Sequence, residues 1–96
     1  MFNPDPTLVT LLQATVAAGA SDLHITVGRP ATARRDGVLV PFEGVPLVQP
    51  ADSERMVMSL LDDVQRDELE EMSQVDFSFG LEHIGRFRAN AYKQRH

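Results

Sequence analysis

The sequence predicts an α+β domain, an antiparallel β-sheet with helices packed on one side. Three observations lead there. Apolar residues recur at helical spacing in some stretches and at alternate positions in others. The elements run helix, strands, two helices, strands. No strand–helix–strand unit with a Gly-rich phosphate turn occurs among them. The 96 residues suffice for one core but not for two domains. At 43% hydrophobic and 24% charged, the chain has the balance of a globular domain, which excludes disorder and fibrous repeats.

The first helix begins at Asp5-Pro6, since Asp caps and Pro is tolerated in the first turn. Leu8, Val9, Leu11, Leu12, Thr15 and Val16 form its apolar stripe, and Gly19 suits a left-handed end. Leu23, Ile25 and Val27 alternate with Asp22, His24 and Thr26, a half-buried strand that Gly28-Arg29-Pro30 breaks. Ala31–Arg35 and Val38–Phe42 flank Asp36-Gly37, a hairpin signal because both central residues of a type I′ turn need positive φ. Pro41 and Pro46 bracket an irregular connection.

Gln49-Pro50 opens a second helix with Met56, Val57, Leu60 and Leu61 inward. Asp62 and Gln65 form a capping box for a short third helix, with Val64, Leu69 and Met72 as its apolar side. Val75, Phe77 and Phe79 then alternate with Asp76, Ser78 and Gly80. A turn through Leu81–Gly85 leads to a last strand over Arg86–Lys93. Phe87, Ala89 and Ala91 lie on one face of it, and Arg86, Arg88, Asn90 and Tyr92 on the other.

Cysteine is absent, which excludes thiol catalysis, Cys-based zinc sites and redox switching. The longest apolar stretch, Ala14–Ala20, is broken by Thr15 and Gly19 and is far short of the ~20 residues that span a bilayer. The start lacks the basic region of a signal peptide, so a cytoplasmic location is expected. The net charge of −5 argues against nucleic acid as a partner. It averages over two unlike ends. Asp62–Asp76 holds seven acidic residues and one Arg, whereas His83–His96 holds Arg86, Arg88, Lys93 and Arg95 and no acid.

Few residues are placed for chemistry. Asp22 and His24 share one strand face, but a period-two pair supplies at most two ligands where a catalytic metal usually needs three. The pair therefore reads as structural, and no metal site is expected. Asp36 and Gly37 read as turn chemistry, and Asp67, Glu68, Glu70 and Glu71 as a solvated helix face or a surface for a basic partner. The row of Arg86, Arg88 and Asn90 suits phosphate, because the guanidinium fork grips oxyanions. An exposed sheet face with Arg–carboxylate pairs to Asp76 or Glu82 is the equal alternative. The chain has no G-x-x-x-x-G-K-[ST] loop, so it cannot by itself hydrolyse a nucleotide by that route.

Several segments together resemble a known family. Ala20-Ser21-Asp22-Leu23-His24-Ile25 resembles the Ala-Ser-Asp-Leu-His segment of the type IV pilus retraction ATPases, the PilT-like twitching-motility proteins of the secretion ATPase superfamily. Arg35-Asp36-Gly37 is similar to their hairpin, and Asp63–Glu70 to their acidic helix. Asp76-Phe77-Ser78-Phe79, then Gly85–Tyr92, then Gln94-Arg95 resemble the stretch before their ATPase core. Ala89 and Tyr92 depart from the family's Val and Phe but keep apolar or aromatic character.

The resemblance implies that residues 1–96 are the N-terminal, PAS-like domain of a larger ATPase whose RecA-like core lies outside this chain. It implies a hexameric motor that uses ATP and Mg²⁺ to retract pili at the inner membrane. The partners would be its own ATPase core, neighbouring subunits and the pilus machinery. Without Walker motifs the chain alone is expected to be no enzyme. Arg86 and Arg88 carry over as residues that approach the nucleotide phosphates, and Gln94 and Arg95 as linker residues near the nucleotide. Asp22 and His24 carry over as a structural or interdomain signature. The alternatives are a PAS-like sensing module, a protein-interaction module, or the equivalent domain of a secretion or pilus-assembly ATPase.

Overall fold

The computed structural model describes residues 2–93. Helix α1 spans Pro6–Ala17, with the Asp5 carboxylate accepting from the N–H groups of Thr7 and Leu8 as its cap. Three short strands follow, β1 (Asp22–His24), β2 (Thr32–Arg35) and β3 (Val38–Pro41). Helices α2 (Pro50–Met58) and α3 (Asp63–Met72) come next, and strands β4 (Gln74–Leu81) and β5 (Gly85–Tyr92) complete the order. The α+β class and the element order are those the sequence predicts.

The strands form two antiparallel sheets rather than one, β1-β2-β3 and β4-β5. Strand β1 stops at His24, short of the alternation through Val27, because the chain turns at Gly28, whose φ is +86°. Asp36 and Gly37 both have positive φ, +50° and +79°, as a two-residue turn between β2 and β3 requires. The Asp62–Gln65 capping box forms in both directions, at 2.8 and 2.9 Å.

One core joins the helices to the second sheet. Leu8 and Leu12 of α1, Met56 of α2 and Leu69 of α3 pack with Val75, Phe77 and Phe79 of β4 and Ala91 of β5. Phe79 sits among three other rings, with centroids 6.2 Å from Phe2, 6.0 Å from Phe77 and 5.4 Å from Phe87.

The apolar side expected for α3 is not the one observed. Leu69 is buried, but Val64 is 77% exposed and Met72 68% exposed. At 3.6 residues per turn, Val64 and Leu69 lie about 140° apart around the helix, so one core cannot cover both. Met72 stands in the last turn, just before the left-handed Ser73.

Candidate functional site

The outer face of the β4–β5 hairpin carries the cationic row. Strict alternation puts Val75, Phe77 and Phe79 into the core and leaves Asp76, Ser78 and Gly80 exposed beside Arg86, Arg88 and Asn90. The register sets Asp76 opposite Asn90, Ser78 opposite Arg88 and Gly80 opposite Arg86.

Among the described residues, neither Arg86 nor Arg88 has a carboxylate within ion-pair distance. The two acids expected as their partners make other contacts. Asp76 Oδ1 accepts from Asn90 Nδ2 at 3.1 Å, and Glu82 Oε1 lies 3.5 Å from His83 Nε2. Arg86 Nη2 donates to Ser78 Oγ at 3.3 Å, which commits one of its several N–H donors. The guanidinium lies over Gly80, where a Cβ would come 3.0 Å from Nη1. This face can therefore meet an anion with two guanidinium groups that no carboxylate among the described residues holds in an ion pair.

Lys93, also in the basic end, is taken up internally. Its Nζ pairs with Glu70 Oε1 at 2.6 Å, and its N–H donates to Ser73 O at 2.9 Å, which ties the end of β5 to α3. Gln94 and Arg95 lie outside the described residues.

The signature residues sit apart from this face, on the first sheet. Asp22 Oδ2 accepts from Arg34 Nε at 3.0 Å and from Ser21 Oγ at 3.1 Å. Arg34 Nη1 donates onward to Gly37 O at 3.2 Å, so Asp22 and the Asp36-Gly37 turn belong to one cross-strand network. His24 is exposed on β1. Among the described residues, no three His, Asp or Glu side chains gather to hold a metal ion. No helix among them is long and apolar enough to cross a membrane.

Sequence reasoning missed two features. The first is a tie between the helices. Asp5 is buried, and its Oδ2 accepts from Arg55 Nε at 2.8 Å, while its N–H donates to Ser59 Oγ at 2.9 Å. Burial alone would push the Asp5 carboxyl up, but the Arg55 hydrogen bond and charge, with the Leu8 and Thr7 N–H groups, hold it below its ordinary range. The pairing spans fifty positions, so no local pattern announces it. The second is a groove of about 770 Å³ between the N-terminal segment, the α2–α3 junction and β4. Leu60, Asp62, Asp63, Arg66 and Phe79 wall it, and Ser78 and Gly80, the bed of Arg86, line its side.

Comparisons with known proteins follow the same direction. No family model matches the chain. The type IV pilus retractation ATPase PilT of Pseudomonas aeruginosa is 33% identical over 87 residues, which are 91% of this chain and 25% of that protein. The type IV pilus ATPase PilU of the same organism is 34% identical over 85 residues, 88% of this chain and 22% of that protein. A crystal structure of the pilus retraction motor PilT with bound ADP superposes with a TM-score of 0.85 at 39% identity, over 92% of this chain and 26% of that one. The chain spans about a quarter of the length of these relatives. The resemblance to the N-terminal domain of PilT-like ATPases holds in both sequence and fold.

Proposed function

We propose, on the premise that this chain is a relative of one domain of the PilT-like pilus ATPases, that it serves as the N-terminal regulatory and assembly domain of a hexameric motor for type IV pilus retraction. In this reading the domain has the PAS-like architecture of that family. It works in the cytoplasm at the inner membrane, against its own ATPase core, neighbouring subunits and the pilus machinery. Arg86 and Arg88 turn toward the phosphates of a nucleotide held mainly by the core.

One observation carries the reading. Two arginines stand side by side on a solvent-facing strand, and among the described residues no acid pairs with either. Exposed guanidinium groups not held in ion pairs are free to grip an anion from outside the domain. ATP is the expected anion, and the related motor of known structure was crystallised with ADP. The residues here fit its phosphates. Magnesium, which accompanies ATP, would be held by the rest of the motor. An added guanidinium stabilises charge that builds on the transferred phosphoryl group.

The test uses the ATPase that carries this domain. Arg86→Ala and Arg88→Ala should each lower kcat by about a hundredfold while changing KM for ATP far less. Wild-type turnover in both variants would sink the phosphate role. The isolated chain should hydrolyse no ATP.

A second reading, a protein-interaction module, has its own observation. Val38, Leu39 and Val40 of β3 are all exposed, and the outer face of α3 is acidic. It predicts that the domain binds the ATPase core in a salt-sensitive way. Association that salt leaves unchanged would remove the charge-based version.

A further inference from the structure

We infer that Ser78 and Gly80 are positioning residues for Arg86, which they hold diagonally across the hairpin so that its guanidinium is set before an anion arrives. The inference rests on the phosphate role proposed above and adds the device that prepares it.

The geometry is asymmetric in an informative way. The residue directly across from Ser78 is Arg88, yet the Ser78 hydroxyl is taken by Arg86, two residues along the strand on the same face. A diagonal contact of this kind is within reach of a long side chain, provided the lane between the strands is open. Gly80, directly across from Arg86, opens it. The Arg86 chain passes over Gly80 so closely that a Cβ there would come 3.0 Å from Nη1 and 3.8 Å from Cδ. Gly80 has no positive φ that would call for glycine, so the backbone gives no reason of its own for the residue. The close approach of the arginine does.

The consequence concerns order rather than charge. Arginine carries large rotamer freedom, and a guanidinium already held loses less of it on meeting a phosphate. An alanine at position 80 would narrow the diagonal lane, and Arg86 Nη1 would have to give way by a few tenths of an ångström, enough to loosen the 3.3 Å bond to Ser78. That is cheap for the far end of a flexible chain, and the fold would stand. The freed Ser78 hydroxyl would then face Arg88.

Two measurements test this. In the chain itself, ¹⁵N relaxation at arginine Nε should show Arg86 more ordered than Arg88. Gly80→Ala should abolish that difference without lowering the melting temperature. Equal order in the wild-type chain would overturn the inference. In the ATPase that carries the domain, Gly80→Ala should lower kcat about tenfold with KM for ATP little changed, as for a misplaced catalytic contact. Ser78→Ala should give a smaller loss, and Ser78→Thr, which keeps the hydroxyl, should restore turnover. If Arg86→Ala slows the motor while Gly80→Ala and Ser78→Ala run at the wild-type rate, positioning is refuted and the phosphate role survives. If Arg86→Ala itself runs at the wild-type rate, the phosphate role falls and this inference with it.

Discussion

The two hairpins of this domain are built on opposite terms. The β4–β5 hairpin alternates cleanly, with Val75, Phe77 and Phe79 buried and Asp76, Ser78 and Gly80 exposed. In the β2–β3 hairpin the alternation fails at β3, where Val38, Leu39, Val40 and Pro41 are all exposed. The turn chemistry of β2–β3 is the more orthodox, since Asp36 and Gly37 take the positive φ that a tight turn needs. What differs is the cover. Leucines of α1 and α3 and Met56 of α2 lie in one core with β4, and among the described residues nothing comparable lies over β3. Alternation thus becomes burial only where a second layer arrives. Pro41, which lacks an N–H, helps keep the bare β3 edge from recruiting another strand.

The contrast can be broken most severely at Phe79. Phe79→Ala should cost about 3–5 kcal/mol, because it empties a buried site ringed by Phe2, Phe77 and Phe87. Urea unfolding followed by circular dichroism measures it, and a loss under about 1 kcal/mol would mean that the second hairpin is not the packed one.

Next in size is the tie that holds the covering helices. Asp5→Ala should cost about 1–2 kcal/mol through the lost α1 cap alone. Asp5→Asn keeps capping capacity and removes the charge, so it isolates the pH dependence. The folded Asp5 carboxyl lies below its ordinary 3.8. Its stabilisation is therefore complete above the unfolded value and is lost as pH falls through the lower folded value. The stability gap between wild type and Asp5→Asn should be constant near neutrality and close only in that acid range. A gap that closes already between pH 5 and 7 would contradict this sign.

Effects no larger than these belong to the first hairpin. Gly37→Ala places a side chain at φ +79° and should cost about 1–2 kcal/mol, read from the same unfolding curves. Val38→Thr and Val40→Thr should change stability by no more than about 0.5 kcal/mol, since both residues are already exposed. A loss above about 1 kcal/mol at either would show that β3 is covered in solution.

Much of this was legible because the signals are local. The Asp5-Pro6 start of α1, the Asp-Gly turn, the Asp62–Gln65 capping box and the in–out alternation of β4 and β5 each depend on residues within a few positions of one another. Period alone puts Arg86 and Arg88 on the outer face, where both are exposed. The apolar side of α3 is not legible in residue character alone, because Val64 and Leu69 are both apolar yet stand about 140° apart around the helix, and only Leu69 meets the core.

The sequence by itself determined the element order, the turns, the caps and which face of β5 is cationic, since propensity, capping and period are written within single segments. The tertiary structure alone decided what each face meets. It split the strands into two sheets, left β3 bare, joined Asp5 to Arg55 across fifty positions and gave the Ser78 hydroxyl to Arg86 rather than to Arg88. Those outcomes turn on distances between segments remote in the chain, and on a missing Cβ at Gly80 whose meaning appears only once Arg86 lies over it.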